Sequence, residues 1–251
     1  MKTILVLNIK GGVAKTTTAC NLAYELARGY GPTLLCDADK QGNASRWTGC
    51  KDPYAPAALG QVLTGKKAIK STMLYTKHED LFVMPSNQSL FEANESLRED
   101  TAAPAWQTRL ALAFANLEGA CDWVVVDCPP DLDYSIVAAL LAADLVIIPV
   151  TPDADAVDGL WDTFDQVDSA SAANHKLRAM ALWVRVPNAW TPPKTFNTQA
   201  VPWLKTRIRE SAPVLRAKNV ARPIREESPR CYAARDYKAL AAEIREVLGR
   251  G

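Results

Sequence analysis

Apolar residues fall along this chain in two rhythms. Short, nearly continuous runs recur at Thr3–Asn8 (TILVLN), Thr33–Cys36, Leu81–Met84, Trp123–Val126, Leu145–Val150 and Ala179–Val186. Runs of this length predict strands buried on both faces. Between them the apolar spacing changes to three and four. Ala19, Leu22, Ala23 and Leu26 mark a helix over Thr16–Arg28, ended by Gly29, Gly31 and Pro32. Further helices are predicted over residues 53–65, Ala105–Leu117, Ser135–Ala142 and Ala156–Ser169. The chain then predicts a loop over Pro187–Asn197, a helix over Gln199–Glu210, a short strand beginning at Pro213–Leu215 and a closing amphipathic helix over Tyr232–Leu248. Strands alternating with helices at this spacing define an α/β class, a mostly parallel twisted β-sheet with helices on both faces.

Composition narrows the picture. A length of 251 residues suits one domain over 1–251, large enough to bury a core with no disulfide or metal staple. With 23% charged and 48% hydrophobic residues the chain is neither disordered nor fibrous. No apolar run approaches the roughly 20 residues of a membrane span. Ile4–Leu7 is too short for a secretion signal and runs into Lys10, so a cytoplasmic protein is expected. The six cysteines (20, 36, 50, 121, 128, 231) form no Cys-x-x-Cys pair or zinc spacing, and Cys36 and Cys128 read as core residues. With only His78 and His175, both expected at the surface, a histidine-based centre is not anticipated.

The net charge of +1 hides an asymmetry: residues 194–251 hold 13 basic and 6 acidic residues, and residues 1–193 hold 16 and 22. A basic segment on an acidic body suggests a polyanion-binding face.

The candidate chemistry begins at Lys10-Gly11-Gly12-Val13-Ala14-Lys15-Thr16-Thr17, between the first strand and first helix. Glycines let backbone N–H groups curl around a phosphate, and the helix N-terminus adds a partial positive charge. Lys15 can then meet the β- and γ-phosphates and Thr16 can ligate Mg²⁺. The strict G-x-x-x-x-G-K-[ST] pattern is not met, since Ile9 and Ala14 occupy its glycine positions. A positive φ at Ala14 would cost about 1 kcal/mol or more. Asp37-Ala38-Asp39-Lys40-Gln41-Gly42-Asn43 follows the second strand, and Val124-Val125-Val126-Asp127-Cys128-Pro129-Pro130 ends another. Carboxylates at the carboxyl ends of strands beside a phosphate loop can serve Mg²⁺ or position a water.

These three segments, in this order, resemble the deviant Walker A loop (K-G-G-x-G-K-[ST]), the D-x-D-x-Q-G-N motif and the D-x-P-P tail of the ParA/MinD family of P-loop ATPases. The resemblance implies ATP and Mg²⁺ as cofactors. It makes Lys10 the signature lysine that reaches the phosphates of a dimer partner, Asp39 the residue that positions the attacking water, and Asp37 a supporting group near a metal held by Thr16 and Asp127. Ile147-Ile148-Pro149-Val150-Thr151-Pro152-Asp153 resembles the segment beside the adenine, placing Pro149, Pro152 and Asp153 there. Val184 stands where relatives often have an asparagine near the base, so adenine preference is implied by the family alone.

Within the family the resemblance is to short ParA-type partition ATPases. These form an ATP-dependent homodimer, bind duplex DNA non-specifically, and hydrolyse ATP slowly on contact with a ParB-like or other cargo adaptor. Such a protein associates with the nucleoid when ATP-bound, and a relative that positions carboxysomes would use the same chemistry. Lys205, Arg207, Arg209, Arg216, Lys218, Arg222 and Arg225 are the candidate DNA-binding residues, because clustered cations neutralise phosphates without reading sequence. With the first strand starting at Thr3, no preceding helix-turn-helix domain is expected. A MinD-like membrane regulator is the alternative, carried by the stripe Leu240, Ile244, Val247 and Leu248. That stripe is expected to pack on the sheet, so no membrane partner is expected. A reductase resembling the nitrogenase iron protein would need a second cysteine to match Cys128, and no convincing one stands in the sequence.

Overall fold

The computed structural model describes residues 1–50, 55–100, 106–153, 156–192 and 201–249. In chain order the elements are β1 (Lys2–Val6), α1 (Lys15–Tyr30), β2 (Thr33–Asp37), α2 (Asn43–Thr48), α3 (Ala58–Leu63), β3 (Leu74–Tyr75), β4 (Leu81–Met84), α4 (Ser89–Glu99) and α5 (Trp106–Ala115). They continue with β5 (Trp123–Asp127), α6 (Tyr134–Ala142), β6 (Leu145–Val150), α7 (Ala156–Ser171), β7 (Arg178–Val186), β8 (Ile208–Arg209), α8 (Pro213–Asn219), α9 (Ile224–Glu227) and α10 (Tyr232–Leu248). A 3₁₀ turn at Ile69–Thr72 follows α3.

The strands form one sheet in the order β3-β4-β2-β5-β1-β6-β7-β8, parallel except for β3, which runs antiparallel to β4. The continuous apolar runs have a direct cause: both sheet faces are covered. Leu5, Leu7, Val124, Val126, Val146 and Ile148 point into a core shared with α3 to α7. Ile4, Val6, Val125, Leu145 and Ile147 point the other way, into a core shared with α1 and α10. Leu240, Ile244 and Leu248 are buried in that second core, where α10 packs on α1 and β8. Among the described residues no helix is long and apolar enough to cross a membrane.

The structure corrects the sequence reading in four places. The helix expected over Gln199–Glu210 does not form from residue 201 onward, and residues 199–200 lie outside the described residues. Val201, Leu204 and Ile208 are buried at helix-like spacing because the segment runs beside β7, bridging at Trp203 to Ala181 and pairing as β8. Pro213–Leu215 opens α8, with Pro213 in the first turn, where its missing N–H costs nothing. α2, α4, α9 and β3 were not anticipated. His78 is mostly buried, edge-on to Tyr24 and tilted against Trp47, with Nδ1 3.1 Å from Glu226. His175 is exposed, as expected.

Candidate functional site

The carboxyl ends of β1, β2 and β5 converge, since Val6 pairs with Asp127 and Asp37 pairs with Asp127 in register. The loop from Leu7 to Ala14 leaves β1 at this point and is fixed by Asn8, a fully buried polar residue. Its Nδ2 donates to the Pro149 carbonyl (2.8 Å) and its Oδ1 accepts from the Lys10 amide (2.8 Å). Thr163 on α7 accepts from the Ile9 amide (3.1 Å) and donates to the Gly159 carbonyl (2.6 Å). A Cβ on Gly159 would lie 2.9 Å from Lys10 Cβ, so only glycine lets α7 approach the loop this closely.

Beyond this anchor the loop turns outward. Gly12 and Ala14 have positive φ, 78° and 62°. The left-handed conformation anticipated as costly at Ala14 is therefore present, at ψ 28°. The amides of Gly11, Gly12, Lys15, Thr16 and Thr17 donate to no acceptor among the described residues. A set of unpaired N–H groups at the start of a 16-residue helix is an anion-binding nest. Lys15 lies over it, its ammonium donating to the carbonyls of Asn8 (2.7 Å) and Lys10 (2.9 Å). Burial lowers its pKa, opposed by the nearby Asp127.

Two carboxylates lie side by side behind the nest, both fully buried. Asp37 is saturated: Oδ2 accepts from the Ser45 amide (2.7 Å) and hydroxyl (2.6 Å), and Oδ1 accepts from the Asp39 amide (3.1 Å). Burial pushes it up to about 6 despite these donors. Neither oxygen of Asp127 completes a well-formed hydrogen bond with a described residue, although the Thr16 hydroxyl lies near it. Burial, then repulsion from Asp37, raise it well above the usual carboxylate range, with Thr16 and Lys15 pulling it back. Asp39 is half-exposed, accepting from the Gln41 amide (2.9 Å). It lines a cavity of about 200 Å³ with Lys40, Phe91, Asn94, Pro130 and Asp131.

Lys10 does not occupy its own nest. Its ammonium pairs with Asp153 at 2.8 Å, and the Asp153 carboxylate also accepts from the Thr151 hydroxyl. Pro149 is a buried strand residue whose carbonyl serves Asn8, and Pro152 is exposed. Val184 is buried in the core under α1. Its neighbour Arg185 sits at a bulge with φ 57°, exposed, its guanidinium 3.5 Å from the Gly12 carbonyl. Val13 is buried beneath the loop, at 2% exposure.

The seven cations expected to form a DNA face are not equivalent. Arg209 is held by Asp236 through two contacts (3.0 and 2.5 Å), and Arg225 is paired with the buried Glu25. These arginines neutralise carboxylates that would otherwise be buried unpaired. Arg207 donates to the Trp190 carbonyl (2.7 Å), and Arg216 is 3.4 Å from Glu227 while remaining exposed. Lys205, Lys218 and Arg222 are exposed with no ion pair among the described residues. Asn8, Ser45, Gly159 and Thr163 escaped the sequence reading. Only Asn8 carried a signal there, as an amide ending an apolar strand that has to find partners once buried.

A parallel sheet, a phosphate-type nest with its lysine and an acid ending the neighbouring strand together define a P-loop nucleotide-binding protein. Comparison with known proteins makes this specific. Residues 1–179 match a family model described as an AAA domain. A ParA family protein of Chlamydia pneumoniae is 32% identical, the match covering 99% of each chain. The chromosome partitioning protein ParA of Myxococcus xanthus is 36% identical over 66% of this chain and 57% of its own. Among solved structures, cobyrinic acid a,c-diamide synthase from Mycobacterium smegmatis with bound ATP analog and magnesium superposes with a TM-score of 0.82. That match is 26% identical and covers 98% of this chain and 96% of that one. The chain belongs to the ParA family of P-loop ATPases.

Proposed function

We propose that the protein is a partition or positioning ATPase: an ATP-dependent dimer that binds duplex DNA non-specifically and releases it on hydrolysis, stimulated by a cargo adaptor. The observation that carries the nucleotide reading is the nest of unpaired amides between Gly11 and Thr17 beside a buried Asp127 that completes no well-formed hydrogen bond among the described residues. An acid left bare inside a protein fits a divalent cation, and a hard cation such as Mg²⁺ takes oxygen ligands. Thr16 and Asp127 would hold Mg²⁺, which supplies charge neutralisation on the phosphates. The amides of Gly11, Gly12, Lys15, Thr16 and Thr17 cradle the phosphates of ATP, with Lys15 moving from the Asn8 and Lys10 carbonyls onto them. Asp39, on the rim, orients the attacking water, while Asp37 fixes the loop that carries Asp39 through the Asp39 amide. Lys10, held outside the nest by Asp153, is available to a partner's nucleotide once that pair opens.

The DNA reading is supported by Lys205, Arg207, Arg216, Lys218 and Arg222. Arg209 and Arg225 are engaged in internal pairs and contribute less. Burial of Leu240, Ile244 and Leu248 in the core disfavours a lipid-binding role for α10. The test is binding to non-specific duplex DNA with ATP, with ADP and without nucleotide over a salt series. ATP-dependent binding that weakens steeply with salt is the expected result. No binding in any state, with hydrolysis intact, would refute the DNA half alone. Asp39→Ala is expected to bind ATP within about threefold of wild type yet hydrolyse it at least about tenfold more slowly, accumulating the ATP dimer. Unchanged single-turnover hydrolysis would remove Asp39 from this role.

A further inference from the structure

The layer formed by α5, α6 and α7 carries features that the nucleotide site does not use. α6 packs between α5 and α7. Among the described residues each of the three helices exposes one large apolar side chain: Leu112 at 56%, Val137 at 36% and Trp161 at 37%. Exposed apolar side chains on adjacent helices of one layer mark an interaction surface more than scattered ones do.

The two flanks of this layer carry opposite charge. On the α5 side a groove of about 500 Å³ runs between α3, the 3₁₀ turn and α5. Val62, Ile69, Leu112 and Ala113 are among its apolar lining, Lys67 and Lys70 are exposed along it, and among the described residues no carboxylate lines it. Arg109 also lines it, already paired with Asp100. On the α7 side Trp161 shares its exposed helix face with Asp162, Asp165 and Asp168. None of these three carboxylates, and neither lysine, makes an ion pair with another described residue.

We propose that this layer is a back-to-back interface with a second copy of the chain, separate from the nucleotide site. A half-turn about an axis running along α6 places α7 of one copy against the groove of the other, and the reciprocal contact forms at the same time. Trp161 then enters the groove beside Leu112, Asp162 and Asp165 meet Lys67 and Lys70, and the two Val137 side chains meet near the axis. The arrangement is isologous, so it closes at two copies. Complementary flanks fix its register, and the apolar row supplies buried area.

Sedimentation velocity without nucleotide, over a concentration series at low and high salt, tests this. The wild type is expected to form dimers that weaken with salt. Lys67→Glu with Lys70→Glu, and separately Asp162→Lys with Asp165→Lys, are each expected to weaken dimerisation at least about tenfold. Mixing the two variants restores pairing, because each flank again meets its opposite charge. Thermal unfolding of each variant at the wild-type midpoint shows that the fold is intact, and Leu112→Ser provides an uncharged second probe. A wild type that stays monomeric, variants that dimerise like wild type, a mixture that stays monomeric, or assemblies larger than dimers would each overturn the proposal. Lys15→Gln leaves this dimer unchanged, so its presence is judged apart from the ATP-dependent one.

Discussion

Asp37 and Asp127 are the same residue type, end adjacent strands, face each other in register and are both fully buried. Among the described residues one receives three hydrogen bonds, and the other, with the Thr16 hydroxyl nearby, receives none that is well formed. The chain supplies Asp37 with donors through α2, whose Ser45 also accepts from the Ser86 amide (2.7 Å), tying β2, α2 and the end of β4 together. It leaves Asp127 bare. Burial alone therefore does not assign a role: the saturated acid holds the fold around the site, and the bare one is the candidate metal ligand.

The largest expected effect comes from removing the cation beside Asp127. Lys15→Gln is expected to weaken ATP binding by about 100-fold or more, since a charge-assisted contact to phosphate is lost in a shielded site. Titration with a fluorescent ATP analogue checks this, and affinity close to wild type would sink the phosphate-loop assignment. The two acids should then separate in opposite directions. Asp37→Asn replaces an acceptor oxygen with an NH₂ facing donors and is expected to lower stability by about 2–3 kcal/mol. Asp127→Asn removes a buried acid that burial and Asp37 destabilise more than Thr16 and Lys15 support it, so the nucleotide-free protein is expected to unfold at an equal or higher temperature while losing its magnesium-dependent ATP affinity. Calorimetry with and without Mg²⁺-ATP reads both, and equal destabilisation by the two substitutions would erase the distinction.

His78 offers a milder version of the same contrast within one ring. Its Nδ1 faces Glu226, while its buried Nε2 has no partner among the described residues. Burial lowers its pKa below 6.5, Lys77 assists, and Glu226 opposes. The unfolded chain then binds the proton more readily, so stability falls as pH drops through about 6.5 and levels off below the folded value. His78→Gln is expected to flatten that slope in thermal unfolding between pH 5 and 7. An unchanged slope would assign the pH dependence elsewhere.

The parts of this molecule that were legible in the sequence are those made by neighbours in the chain. Lys10 to Thr17 form a nest because one loop and one helix start suffice, and even the strain at Ala14 follows from its position. The alternating elements announce a parallel sheet because both faces must be apolar. What was hidden depends on partners far away. Thr163 meets Ile9 across 154 positions, and Arg225 is taken from the expected DNA face by Glu25 across 200. Val201, Leu204 and Ile208 mimic a helix because β7 buries them at intervals that no local rule distinguishes from a helical turn.

The division of the phosphate loop into an anchored part and an open part has a consequence for its exchange of hydrogen with solvent. The amides of Ile9 and Lys10 are bonded to Thr163 and Asn8, so their exchange requires α7 to part from the loop. Those of Gly11 and Gly12 have no acceptor among the described residues to break from. In the nucleotide-free protein a boundary between slow and fast exchange should therefore fall between residues 10 and 11, and ATP should erase it by slowing the fast side alone.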